Sequence, residues 1–166
     1  MSADEFIVSK TDATGRLTYC NRIFIEYSGF SEFELLGQQH NIVRHPDMPR
    51  SVFNLLWSTV KSGNEFFGYV KNIASDGSFY WVLANVTPSY SAGAGAGAGA
   101  GKIIGYFSVR RKPEPQKIKI IEVLYKDMLM AEKQAGSRDA IAAGTKVLMD
   151  IVNPTGKDYR EFILSL

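Results

Sequence analysis

Three consecutive segments in the middle of the chain have strand-like patterns, and they constrain the fold more than any other feature. The segments span residues 65–73, 79–88 and 102–111, and Asp76-Gly77 predicts a tight hairpin between the first two. Consecutive antiparallel strands form a sheet that usually buries one of its two faces. The pattern therefore predicts a sheet that needs a layer of helices on one side.

The residues before these strands predict that helical layer. Asn21 and Ser31 are typical N-caps of short helices, and Pro49 suits the first turn of a longer helix that Gly63 ends. Because these helices are the natural cover of the sheet, we expect an α+β domain with a cavity between the two layers. Two more short strands are expected near the N-terminus, at residues 6–9 and 17–20.

A Pro-Glu-Pro step at residues 113–115 predicts a boundary, because proline disfavours continued regular structure. We assign residues 1–112 to the α+β domain and residues 113–166 to a helical appendage. Apolar residues recur there at helical spacing, which predicts two amphipathic helices. Two interpretations stay open: the helices pack on the domain or on each other, or they form an output or docking surface.

An alternating Gly-Ala tract at residues 91–101 lies between the second and third of the central strands. A run this short, without a flanking repeat, is not expected to build a silk-like sheet. It predicts either a flexible hairpin tip or a replacement loop introduced by engineering. We favour the replacement loop and expect no functional residue in the tract.

Charge and composition exclude several classes of protein. A net charge of +2 favours neither nucleic acid nor a membrane surface, and no apolar run approaches the ~20 residues of a membrane span. The single cysteine, Cys20, excludes an internal disulfide and is expected to be a small packing residue in a reducing compartment. Because phosphate-binding loops, nucleophile elbows and zinc-protease motifs are missing from the sequence, we expect neither an enzyme nor catalytic residues.

Residues 40–49 are the densest in side chains that could carry chemistry. They include both histidines of the chain, His40 and His45, together with Arg44 and Asp47. Loops held by a rigid scaffold often carry function, but these polar groups could equally cap the next helix and solvate the surface. Two histidines without a third ligand nearby do not predict a metal site.

Period-2 alternation in the central strands assigns one asparagine to each of two apolar faces. It groups Asn72 with Phe66 on the first strand and Asn85 with Trp81 on the second. A buried amide without a partner costs about 1–3 kcal/mol, so something must meet both amides. Either they pair with each other or the backbone, or they bind the edge of a planar ligand, for which two strand glycines would leave room, Gly68 and Gly105.

The chain resembles the PAS sensor domains of the Aer type, the flavin-binding energy-taxis sensors of bacteria. The resemblance covers about residues 17–111 and rests above all on the run His40-Asn-Ile-Val-Arg-His-Pro-Asp-Met-Pro49. It implies a PAS fold, in which a five-stranded antiparallel sheet and short helices surround a cofactor cavity. The shorter matching elements are Asn21-Arg-Ile-Phe24, Tyr27-Ser-Gly-Phe30, Glu34-Leu-Leu-Gly37, Val70-Lys-Asn72, Tyr80-Trp-Val82, Ala84-Asn85 and Ile104-Gly-Tyr106.

The resemblance implies that the cofactor is noncovalently bound FAD. Arg44, His45 and Asp47 lie in the motif whose counterparts affect FAD binding in this family. Phe66 stands where Aer-type domains usually carry a tryptophan, which removes an indole N–H donor. The other residues expected at the cofactor are His40, Asn21, Asn72, Asn85, Trp81 and Trp57.

The resemblance also implies a redox sensor that relays a signal and turns over no substrate. The chain is most similar to the PAS-only CetB proteins, whose partner is a membrane chemoreceptor of the CetA type, and a homodimer is allowed. We therefore expect a cytoplasmic protein that reaches the inner membrane only through its receptor. The signal is expected to pass along the strands to residues 109–112 and the helices beyond.

Two other classes of function compete with this interpretation. One is a cofactor-free PAS module for interaction or dimerisation, and the other is a haem-based gas sensor. A photoreceptor is disfavoured, because LOV domains carry a reactive cysteine in an N-C-R-F-L-Q run, whereas residues 41–45 contain none. The visible spectrum of the purified protein would distinguish these classes.

Overall fold

A computed structural model describes residue 2, residues 4–92 and residues 101–166 of the chain. The backbone N–H of Ser91 donates to the carbonyl of Lys102 over 2.9 Å, so the strands flanking the Gly-Ala tract meet at its base. Residues 93–100 lie outside the described residues, and so does most of the prediction made for that tract.

Five antiparallel strands form one sheet in the order β2-β1-β5-β4-β3. The predicted α+β architecture with its meander of three central strands is confirmed. The hairpin at Asp76 also forms as expected, because this carboxylate accepts the backbone N–H of Ser78 over 2.9 Å. The strands are β1 (Phe6–Asp12), β2 (Leu17–Cys20), β3 (Phe66–Ile73), β4 (Phe79–Tyr90) and β5 (Ile103–Arg111).

The helical layer lies between β2 and β3 in the sequence and covers one face of the sheet. Asn21 accepts the backbone N–H of Phe24 over 3.0 Å, and Ser31 forms a reciprocal capping box with Glu34. The N-cap predictions are therefore confirmed at both positions. The elements of this layer are α1 (Arg22–Ser28), α2 (Glu32–Leu35), a 3-10 helix (His40–Val43) and α3 (Arg50–Lys61).

The appendage consists of α4 (Pro115–Val152) and a short last helix, α5 (Tyr159–Ser165). Gly136 has a φ of +74° and breaks α4 into two helical arms, residues 115–135 and 137–152. α4 packs on α3, and α5 packs on β3. Among the helices of the described residues, none combines the length and apolar character needed to span a bilayer.

The register corrects the prediction of which residues share a face of the sheet. Asn72 pairs with Tyr80, whereas Asn85 pairs with Phe67, so the two asparagines lie on opposite faces. The buried positions of β4 are Val82, Ala84 and Val86. Trp81 lies on the opposite face of β4, which we call the far face. It contacts Tyr125 of α4 at 6.0 Å between ring centroids, so both faces of β4 carry apolar residues. Alternation alone could not show which face the helical layer covers.

The two strand glycines approach protein groups rather than an open space for a ligand. A methyl group at Gly105 would overlap the backbone carbonyl of Thr11 on β1. A methyl group at Gly68 would lie 2.6 Å from the ring of Phe66 and 3.0 Å from the hydroxyl of Tyr159. The prediction that these glycines make room for a ligand is therefore wrong.

Candidate cofactor site

A cavity of about 170 Å³ lies between the covered face of the sheet and the helical layer. The helical layer and the β1–β2 turn contribute Gly15, Gln39, His40, Asn41, Arg44, Phe53, Leu56 and Trp57. The sheet contributes Ser9, Thr11, Val70, Asn72, Ala84, Val86, Tyr106, Ser108 and Arg110. Both walls of the cavity therefore combine polar and apolar side chains.

Arg110 brings a buried positive charge to the sheet side of this cavity. It is only 2% exposed, and its guanidinium lies over the ring of Phe24 at 4.8 Å. Its Nε donates to Ser108 Oγ over 3.0 Å, and its Nη2 donates to Ser9 Oγ. Burial lowers the pKa of Arg110 to about 10, so the side chain remains charged at neutral pH.

His40 is held neutral beside this charge. Arg110 Nη2 lies 2.8 Å from His40 Nε2, and because a guanidinium can only donate, Nε2 must accept. The ring also stacks on the buried ring of Phe24 at 5.7 Å. Burial, reinforced by the charge of Arg110, lowers the pKa of His40 to about 3. The remaining ring proton therefore sits on Nδ1.

We expect His40 to make the protein less stable in mild acid. Between pH 6.5 and about 3 the unfolded chain holds one more proton than the folded chain, so the free energy of unfolding falls as the pH drops. From pH 6.5 to pH 5 the loss should reach about 2 kcal/mol. Urea unfolding at both pH values measures it, and His40→Gln should reduce the pH dependence by this amount. His45 titrates equally in both proteins, so an unchanged pH dependence in the variant would contradict the assignment.

Three residues that line the cavity each have one buried polar atom without a hydrogen-bond partner among the described residues. These atoms are Thr11 Oγ1, Asn72 Nδ2 and Arg110 Nη1. A buried donor without a partner is costly, and native structures leave few of them. All three can donate a hydrogen bond, so the chemistry they could satisfy is that of a ligand with several acceptors.

Four of the residues expected at the cofactor line this cavity together: His40, Arg44, Trp57 and Asn72. Arg44 stacks on Phe53 at 4.0 Å, and burial lowers its pKa. A β-bridge pairs the backbones of Arg44 and Asn72. Residues 40–48 are thereby attached to the edge strand of the sheet.

His45 and Asp47, from the same motif, lie beside the edge strand instead of in the cavity wall. His45 Nδ1 accepts the backbone N–H of Asp47 over 3.1 Å, and Asp47 pairs with Lys71 over 2.8 Å. The Lys71 ammonium lowers the pKa of the Asp47 carboxyl. These contacts fix the shape of the segment that presents Arg44.

The other expected residues lie elsewhere and fill structural roles. Asn21 caps α1 and also bridges to β1, donating to the carbonyl of Phe6 over 2.8 Å. Phe66 is 1% exposed and stacks on Tyr159 of α5 at 5.7 Å. Trp81 and Asn85 lie on the far face of the sheet, and neither lines the cavity.

Sequence reasoning missed the polar cluster of Ser9, Ser108 and Arg110. Ser9 pairs with Ser108 across β1 and β5, and Arg110 follows two residues later on the same face. The only available signal was this spacing of two in a strand. From the sequence, Arg110 is singled out only as part of residues 109–112, the segment to which the signal is expected to pass.

The chain's single cysteine does not line the cavity. Cys20 is 3% exposed and pairs with Ser9 in the β1–β2 ladder. Burial raises the pKa of its thiol to about 11, so it is protonated at neutral pH. Its predicted role as a packing residue agrees with this position.

Comparisons with known proteins support the same fold. The aerotaxis receptor of Escherichia coli K12 is 40% identical over 126 residues, which are 76% of this chain and 23% of the receptor. The nitrogen fixation regulatory protein of Klebsiella pneumoniae is 32% identical over 81 residues, 49% of this chain and 16% of that protein. The chain therefore spans less than a quarter of the length of these curated relatives.

Solved structures and a protein family also match this chain. The dark structure of the blue-light photoreceptor Aureochrome1 LOV has a TM-score of 0.57 at 20% identity, covering 69% of this chain and 79% of that one. The PAS fold family matches residues 2–100, and PAS domains are generally signalling modules rather than enzymes. The five-stranded sheet, its helical cover and this match show that the chain belongs to the PAS family.

Proposed function

We propose that this PAS domain binds a flavin, FAD, noncovalently in the cavity and signals the cellular redox state. The observation that carries the proposal is a set of three residues that line one cavity and each hold a buried donor without a partner among the described residues: Thr11 Oγ1, Asn72 Nδ2 and Arg110 Nη1. The polar edge of an oxidised flavin ring presents two carbonyl oxygens and the nitrogens N1 and N5 as acceptors, and one N3–H group as a donor. The donors of the chain match that edge.

The walls of the cavity also fit a flat aromatic ring. Val70 and Ala84 form an apolar sheet surface, and Phe53 and Trp57 face them from α3. The enclosed volume of about 170 Å³ is below the ~300–1,000 Å³ of ligand sites, so it holds part of such a cofactor. We propose that the rest extends past Asn41, the exposed residue of the wall.

The bound flavin would supply reversible electron uptake, and the chain would bind, orient and respond. Asn72 is the residue best placed to respond, because it lies on the edge strand and its backbone bridges to Arg44. Re-pairing a buried amide changes its free energy by about 1–3 kcal/mol, which biases two conformations several-fold or more. Residues 40–48 would shift with it and move the start of α3.

The relay to a partner is a proposal that rests on the homology to the aerotaxis receptor over 126 residues. By likeness to the PAS-only CetB proteins, we propose that this domain contacts a membrane chemoreceptor of the CetA type from the cytoplasm. α4, which packs on α3, is the element expected to carry the signal to that contact. A homodimer through the same helices would fit the proposal equally.

The visible spectrum of the purified full chain tests the cofactor. We expect a band near ~450 nm, released by heat denaturation as free FAD. A Soret band would show the haem alternative instead. A protein that stays colourless after FAD is added would contradict the proposal and favour a cofactor-free module.

Arg44→Ala is expected to weaken FAD binding about tenfold, because it removes a cation from the cavity wall and uncovers Phe53. Fluorescence titration with FAD measures the dissociation constant. Arg22→Ala is the matched control, since its side chain is 88% exposed and, among the residues that the structure describes, pairs only with Glu26 on the surface. Equal affinity of Arg44→Ala and the control would remove Arg44 from the site.

A further inference from the structure

Arg110 is a buried cation whose partners are all neutral. It is 2% exposed on β5, which lies between β1 and β4. Its hydrogen-bond partners are Ser9, Ser108 and the neutral ring of His40. No carboxylate pairs with it among the residues that the structure describes, and its Nη1 has no partner at all.

The other ionisable groups near Arg110 do not balance its charge. Tyr80 and Cys20 interact with it electrostatically, but burial raises their pKa values to about 12 and about 11. Both are therefore uncharged at neutral pH. A buried charge is costly unless it is paired, so the protein without a ligand carries an uncompensated cation in its interior.

We propose that Arg110 is the specificity-determining residue of this site and pairs with a negatively charged or strongly accepting edge of the bound ligand. The inference rests on the proposed function and deepens it, because it names what the ligand must present to the sheet. Thr11 Oγ1 and Asn72 Nδ2 flank the same wall, so the recognised edge carries at least two further acceptors.

The unpaired charge of Arg110 makes the ligand-free protein less stable than a variant with an apolar side chain at this position would be. Ligand binding would compensate the charge, so the same side chain destabilises the empty protein and stabilises the loaded one. A purely structural arginine behaves differently, since its removal lowers the stability of both forms. Stability and affinity must therefore change in opposite directions when the charge is removed.

Arg110→Met tests this, with Arg111→Met as the matched control on the adjacent, exposed position. Thermal unfolding of the FAD-free full chain and titration with FAD are measured for both variants. For Arg110→Met we expect an unchanged or higher unfolding temperature without FAD, and FAD affinity at least tenfold lower. Arg111→Met should match the wild-type protein in both measurements. Arg110→Lys, which keeps the charge but loses the planar fork, should retain wild-type stability and an intermediate affinity.

Two results would overturn the inference: Arg110→Met binds FAD as tightly as the wild-type protein, or it unfolds at a lower temperature or fails to fold without FAD. Failure of the proposed function can be distinguished from these two results, because the wild-type protein itself would then bind no FAD. In that case a higher unfolding temperature of Arg110→Met would still support an uncompensated cation, and a lower one would overturn it.

Discussion

Glu132→Ala is expected to lower the free energy of unfolding by about 3 kcal/mol, because it removes the N-terminal cap of α3. Glu132 is 6% exposed on α4. Its carboxylate accepts the backbone N–H groups of Arg50 and Ser51 over 3.0 and 2.9 Å, and the hydroxyl of Ser51 over 2.6 Å. Pro49 precedes the helix and offers no capping side chain, so nothing nearby replaces these bonds.

Urea unfolding of the full chain measures this effect. Glu122→Ala is the matched control, because Glu122 is an exposed carboxylate on the same arm of α4. The control should change stability by less than about 0.5 kcal/mol. Equal effects of the two substitutions would mean that water caps α3 as well as Glu132 does.

Glu132 also suggests a route by which a signal could leave the cavity. This route differs from the one that the sequence predicts. It connects α4 to the start of α3, and α3 carries Phe53 and Trp57 of the cavity wall. The sequence predicts that the signal passes along the strands to residues 109–112. The contact between α3 and α4 provides a second physical connection between the cavity and the appendage.

Gly105→Ala should also lower the free energy of unfolding by about 3 kcal/mol, because the added methyl group would overlap the carbonyl oxygen of Thr11. The obstacle is backbone in the β1–β5 ladder, where Gly105 pairs with Asp12. The methyl group cannot be accommodated by rotating a side chain, so one strand must move. The expected loss of about 3 kcal/mol is at the upper end of what overpacking a protein core usually costs.

Ile104→Ala is the control, because Ile104 is 54% exposed on the same strand. It should leave the urea midpoint nearly unchanged, whereas Gly105→Ala should shift it strongly without changing the slope. A shift of the same size in both variants would show that β1 and β5 separate at this end with little cost.

Local sequence rules predicted the parts of this structure that depend on a few neighbouring residues. Asn21 and Ser31 cap their helices, and Asp76-Gly77 forms its hairpin. Each of these features is decided by hydrogen bonds and backbone angles within about four residues, so a sequence shows them directly.

The candidate site was predictable only in part. The resemblance identified residues 40–49, and His40 and Arg44 of that segment do line the cavity. His45 and Asp47 lie beside Lys71 instead, because a tight turn places adjacent side chains on different sides. A motif names a segment of chain, but its backbone geometry decides which members face the cavity.

The sequence by itself determined the strand meander and the helical cover, because these follow from local patterns. Only the tertiary structure decided that β4 turns Ala84 rather than Asn85 to the cavity, since both of its faces are apolar. It also decided that Arg110 is buried with no carboxylate partner in the described part of the chain, and that Glu132 caps a helix that begins 82 residues earlier. Burial and long-range pairing depend on which layers meet, and that is a property of the packed chain rather than of any segment.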